Sequence, residues 1–293
     1  MKQISTILIA CALCFSACGG RGDSQLVIGS KNFTEQTVLA ELLSQYLESK
    51  LGITVERRAN LGGTLICHEA VKSDEIDLYV EYTGTALTTV LNKEASSDPE
   101  AVLRLVKEGY EKEFGLEVTE PLGFDNSFAM VIRGEDARKL NLRTLSDAVV
   151  PAMQWRAGFG YEFMERPDGF PGLARVYGLK FAQAPLLMDL GLLYRALEEN
   201  QVDIVAGAAT DGVIAARGFV ILEDDRDYFP PYEAVPIVNR KAFERHPKLR
   251  EMLASLGGKI SAEAMRRLNY AVDGEHRDVQ DVVREFLATQ NLR

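Results

Sequence analysis

The sequence has little with which to bind a metal or do redox work. Its three histidines, His68, His246 and His276, stand far apart with no His-x-x-x-His spacing. Of four cysteines, Cys11 and Cys14 fall in an apolar leader and Cys18 at its end, so Cys67 alone remains and no disulfide framework is possible. Cys67 reads as a small buried apolar residue, since nothing near it in sequence would activate a thiol. There is no Gly-x-Ser-x-Gly elbow, no Gly-x-Gly-x-x-Gly and no Gly-Lys-Ser/Thr, which removes the local signatures of acyl transfer and of nucleotide binding. Acidic pairs such as Asp224-Asp225 read as solvated loop residues. Basic surplus is absent too: a net charge of −10 argues against a polyanion-binding surface, which draws on clustered Lys and Arg. An enzyme and a nucleic-acid binder are therefore both disfavoured, and no cofactor is expected.

What is present starts with the leader. Lys2 precedes the apolar run Ile4 to Phe15, followed by Ser16-Ala17-Cys18. That run is shorter than the roughly 20 residues needed to span a bilayer, and its layout is that of an export signal. Small residues directly before a cysteine resemble a bacterial lipobox, although Phe15 stands where Leu is usual. The expectation is a signal peptide over 1–17, a lipid on Cys18 and a polar tether over 18–24, with a plain secretory leader as the alternative. Arg21-Gly22-Asp23 in that tether is a chance match to an adhesion tripeptide.

The remaining chain, 46% hydrophobic over all 293 residues, suffices for two α/β lobes. Leu26 to Gly29 reads as a buried strand, and Asn32 with Glu35 three positions on reads as an N-cap pattern for a helix through Leu51. Lys31 then sits between a strand end and a helix N-terminus, where anionic groups bind; a solvated loop lysine is the alternative. Ile53 to Ala59 is a second strand, and Gly62-Gly63 a tight turn before another helix. Glu69 to Leu78 lines up with Arg195 to Ile204: each is a short helix, an acidic or amide turn and a strand starting at Asp. The first copy runs into Tyr82-Thr83-Gly84-Thr85, with Tyr82 expected to be exposed, and the second into Ala208-Ala209-Thr210-Asp211. Ligands collect at the carboxyl ends of strands in such sheets, so a cleft is expected there. Asp211 is expected to cap the next helix. Crossings near Asn126 and Tyr232 divide the chain into one lobe of 25–127 plus 231–293 and another of 128–230. Arg166, in the turn-rich Arg166 to Gly172, has the fork geometry for a carboxylate, or is a surface arginine.

Taken in order, Gly29 to Gln36, Leu61 to Thr64, Glu81 to Thr85, Arg166 to Gly169, Thr210 to Gly212 and Phe229 to Tyr232 resemble the glycine betaine, choline and carnitine binding lipoproteins of osmoprotectant ABC importers. The resemblance covers nearly the whole mature chain. It implies a type II periplasmic-binding-protein fold, and a monomer that delivers a quaternary amine or betaine to a membrane permease. It further implies an aromatic box at Tyr82 and Tyr232, with polar contacts from Lys31, Thr85 and Arg166. Two departures stand out: Phe128 replaces a usual tyrosine, and Ala208-Ala209 offers none where another is common. Asn126 occupies a position that varies between amide and acid. A bulkier betaine such as ergothioneine, or a sensory rather than a transport role, remain alternatives.

Overall fold

The computed structural model describes residues 25–292, so the leader, Cys18 and the tether lie outside the described residues. Strands β1 (Gln25–Lys31), β2 (Thr54–Gly62), β3 (Leu78–Tyr82), β4 (Leu116–Val118), β5 (Phe128–Arg133), β6 (Ala157–Phe159), β7 (Leu186–Leu187), β8 (Ile204–Ala208), β9 (Phe219–Leu222) and β10 (Ala234–Asn239) form two sheets. The first has the order β2-β1-β3-β10-β4 and the second β7-β6-β8-β5-β9. In both, the first three strands of that order run parallel, and the fourth is antiparallel to its neighbours on either side. One topology is thus built twice. The chain passes from the first sheet to the second between β4 and β5 and returns between β9 and β10. Each sheet carries an apolar cluster on both faces.

The repeat read from the sequence extends to hydrogen-bond detail. Asp74 and Asn200, at matching positions, both take the left-handed conformation, with φ of 65° and 58°. Short polar side chains tolerate that region better than most residues do. The amides of Glu75 and Ile76 both donate to the Ala70 carbonyl, and those of Gln201 and Val202 both donate to Ala196. At the strand starts, Asp77 accepts from the Val27 amide at 2.6 Å and Asp203 from the Arg156 amide at 2.9 Å. Tyr82 and Ala208 consequently occupy the same place, the last residue of equivalent strands.

The helix Thr34–Leu51 packs Val38, Leu39, Leu42, Leu43, Tyr46 and Leu47 into the first core, each at most 2% exposed. Burying each aliphatic one contributes about 1.5–3 kcal/mol. Gly52, with φ 65°, ends the helix in a left-handed cap. Its start differs from the expectation. Phe33, not Asn32, is the N-cap and offers no side-chain acceptor, because Glu35 turns inward to other partners. Asp211 likewise does not cap the following short helix; its carboxylate accepts from the Tyr194 hydroxyl at 2.5 Å and the Ala208 amide at 2.9 Å.

Candidate functional site

The ends of β1, β3, β5 and β8 meet where the two lobes face each other, and three polar knots form there. The first is centred on Glu35, which is 2% exposed. Its Oε1 accepts from the Tyr82 hydroxyl and from Asn126 Nδ2, both at 2.7 Å, while Oε2 accepts from Asn269 Nδ2 at 2.9 Å and from the Thr210 hydroxyl. Four donors from both lobes and the crossing segment therefore converge on one carboxylate. Burial raises its pKa, and the hydrogen bonds from Thr210, Tyr82, Asn269 and Asn126 offset only part of that. Among the described residues no cation pairs with it.

The second knot joins Arg166 and Asp168. Residues 166–169 form a tight turn in which the Gly169 amide donates to the Arg166 carbonyl at 3.0 Å, and the side chains of Arg166 and Asp168 meet within it. Arg166 Nε and Nη2 donate to the two Asp168 oxygens at 2.8 and 2.5 Å. Nη2 also donates to the Thr85 hydroxyl at 2.9 Å across the lobe boundary. Asp168 Oδ2 in turn accepts from Thr88 at 2.9 Å and from the Tyr232 hydroxyl at 2.6 Å. Burial alone would raise the Asp168 pKa, but Arg166, Tyr232 and Thr88 together hold it below the usual value. The guanidinium lies 4.9 Å from the Phe128 ring centre and 5.9 Å from that of Tyr232. Arg166 Nη1 has no partner among the described residues.

In the third knot Lys31 Nζ donates to the Thr64 hydroxyl at 3.0 Å and to the buried carboxylate of Glu81, and lies 5.3 Å from the Tyr82 ring centre. Its charge is thus neutralised inside the protein. The rings of Tyr82 and Tyr232 belong to one apolar cluster, with Phe33, Phe128 and Phe229 packed against it. Phe128 sits 5.7 Å from Tyr232 in an edge-on arrangement. Tyr82, expected to be exposed, is 5% exposed, because its hydroxyl reaches Glu35 rather than solvent.

All seven residues singled out from the sequence, Lys31, Tyr82, Thr85, Asn126, Phe128, Arg166 and Tyr232, thus lie in or against these three knots. The two cations, however, carry internal counter-ions. Glu35, Gln36, Asp168 and Asn269 lie in or beside the same knots and are not among those seven. Gln36 is 1% exposed and its amide lies close to the Tyr82 hydroxyl without a well-formed hydrogen bond, an unusual state for a buried amide. Glu35, Gln36 and Asp168 fall inside the motifs quoted above, where local sequence gives Glu35 the pattern of a helix-start acid and Asp168 that of a turn residue. Cys67 is fully buried, and burial pushes its thiol up to about 12, so it is no nucleophile. Among the described residues no cluster of His, Cys, Asp and Glu could hold a metal. A surface hollow of about 390 Å³ bordered by Lys107, Glu117, Arg240 and Arg250 shares no residue with this site. Its basic groups are paired to Glu120, Glu111 and Glu117.

A model of the substrate binding domain of ABC-type glycine betaine transport systems matches residues 24–289. The chain belongs to this family. The carnitine transport binding protein OpuCC of Listeria monocytogenes is 35% identical over 294 residues, covering 98% of this chain and 95% of that one. The ergothioneine transport permease/ergothioneine binding protein EgtU of Helicobacter pylori is 32% identical over 287 residues, 98% of this chain but 51% of the longer relative. Among solved structures, a glycine betaine/carnitine/choline ABC transporter superposes with a TM-score of 0.77 at 31% identity, covering 91% of this chain and 99% of that one. This binding protein is therefore the substrate-binding component of an ABC importer, an extracytoplasmic role, on the type II periplasmic-binding-protein fold. Its family is one of transport proteins, not of enzymes.

Proposed function

We propose that the protein holds a small betaine or other quaternary amine between its lobes, as a monomer tethered to the membrane by a lipid on Cys18, and delivers it to the permease. The observation that carries this reading is the convergence of Tyr82, Phe128 and Tyr232 at the lobe boundary beside Arg166. A quaternary ammonium cannot donate a hydrogen bond, so aromatic faces and methyl contacts must hold it. A cation over such a face contributes about 0.5–2 kcal/mol, the upper figure when water is excluded. Nη1 of Arg166, the Thr85 hydroxyl and the Gln36 amide, which makes no well-formed hydrogen bond, are then available to a carboxylate or hydroxyl at the ligand's other end. Lys31 contributes indirectly, by fixing Tyr82 and Thr64, since Glu81 takes up its charge.

A bulkier betaine is a second reading, favoured by one observation. Ala208 stands at the strand position where the other lobe has Tyr82, and it is half-buried, so one wall lacks a ring. A thermal-shift panel of glycine betaine, carnitine, choline and ergothioneine tests both readings. A true ligand at about 100 times its dissociation constant adds roughly 2.7 kcal/mol of stability. If none of the four moves the melting curve, the ligand class is wrong. Cys18→Ser should release the protein from membranes or block its processing; a variant that stays membrane-bound and lipid-labelled would refute the anchor.

A further inference from the structure

The helix Thr64–Lys72 begins without a cap from its own loop: Gly63 is the N-cap residue and has no side chain to offer. The first amides of a helix have no partner within it, and its N-terminus favours an anion. Here the acceptor comes from the opposite lobe. The Thr64 amide donates to Glu162 Oε1 at 2.8 Å, and Glu162 belongs to the helix Tyr161–Glu165, 98 positions along the chain. A Cβ at Gly63 would stand 2.1 Å from that same oxygen. Since Gly63 has φ −78°, any residue could adopt its backbone conformation, so the space for Glu162 is what only glycine provides. Thr64 is itself anchored, its hydroxyl accepting from Lys31 Nζ at 3.0 Å.

We infer that Glu162 is a positioning residue for ligand capture: it caps the first lobe's helix only when the lobes are together, and so weights the closed form. The helix Thr64–Lys72 packs on β1, β2, β3 and β10 of the first lobe, and Tyr161–Glu165 packs on the next helix of the second, so separating the lobes breaks the cap. Ligand that binds only the closed form gains apparent affinity in proportion to how populated that form is. Glu162 is exposed, and its carboxylate accepts from the Thr64 amide rather than reaching the aromatic rings, so the same cap is lost whichever ligand is held. Loss of an N-cap interaction corresponds to roughly a three- to tenfold shift in such an equilibrium. The inference rests on the proposed binding of quaternary amines between the lobes, but the cap has a readout of its own.

The test compares the purified wild type with Glu162→Ala, Glu162→Gln and Gly63→Ala. Dissociation rates for glycine betaine, carnitine and choline should rise by the same factor, about three- to tenfold, in Glu162→Ala. Glu162→Gln, which keeps an acceptor oxygen without the charge, should fall between, and Gly63→Ala should match Glu162→Ala because its methyl fills the carboxylate's place. Small-angle scattering of the ligand-free proteins should show larger dimensions for Glu162→Ala than for wild type. Losses that differ between ligands, or unchanged rates and dimensions in both Glu162→Ala and Gly63→Ala, would overturn the inference. If the wild type binds none of the three compounds, the proposed ligand class fails, while the scattering comparison still decides whether the cap holds the lobes together.

Discussion

Replacing Arg166 tests the second knot most sharply. The side chains of Arg166 and Asp168 are 7% and 1% exposed, so Arg166→Met leaves a carboxylate buried with only neutral donors, Thr88 and Tyr232. Breaking a buried pair from one side costs about 3–5 kcal/mol, and the two remaining donors place this case at the lower end. Asp168→Asn strands the guanidinium instead. The double variant Arg166→Met with Asp168→Asn buries no charge at all, and should therefore be less destabilised than the two single losses added, with a coupling of about 1–3 kcal/mol. Urea denaturation of the four proteins measures it. The same double variant separates fold from ligand contact: a charge-assisted hydrogen bond from Nη1 is worth about 1.5–3 kcal/mol, so glycine betaine should lose at least about tenfold more affinity than choline. The reasoning fails if Arg166→Met costs under about 1 kcal/mol, or if the single effects add to the double within about 0.5 kcal/mol.

Ala208→Tyr restores a ring at the place equivalent to Tyr82. By calorimetry it should strengthen a compact trimethylammonium ligand by about 0.5–2 kcal/mol and weaken ergothioneine; the opposite order would mean that this wall is not open to the ligand. Asp211 sets a pH dependence, since burial raises it to about 6, with Tyr194 and the Ala208 amide partly offsetting that and Glu35 adding to it. The folded form then holds a proton that the unfolded chain has already released, so this group's contribution to stability declines as pH rises from about 4 to about 6. Asp211→Asn, which keeps an acceptor oxygen, should flatten that decline, gaining about 1–3 kcal/mol on the wild type between pH 4 and pH 7 in melting experiments. An equal pH slope in both proteins would show that Asp211 titrates normally.

Local pattern and self-similarity make much of this architecture legible in the amino-acid order. The matching stretches Glu69 to Leu78 and Arg195 to Ile204 specified two copies of one helix–turn–strand unit, because Asp74 and Asn200 must each permit a left-handed turn and Asp77 and Asp203 each serve a neighbouring strand. From that came the α/β architecture and the equivalence of Tyr82 with Ala208. Motif order alone points to Lys31, Thr85, Asn126, Phe128, Arg166 and Tyr232 as neighbours. What the buried charges face is far less legible. Glu35 has the local pattern of a helix-start acid, yet its four donors come from residues 82, 126, 210 and 269, which no local spacing connects. Arg166 has the fork for a ligand carboxylate, yet Asp168 occupies two of its nitrogens, and the single ammonium of Lys31 is paired with Glu81. A buried charge is costly without a partner: Arg166 finds its own two residues away and Lys31 on the adjacent strand of its own sheet, whereas the donors to Glu35 are assembled only when the two lobes meet.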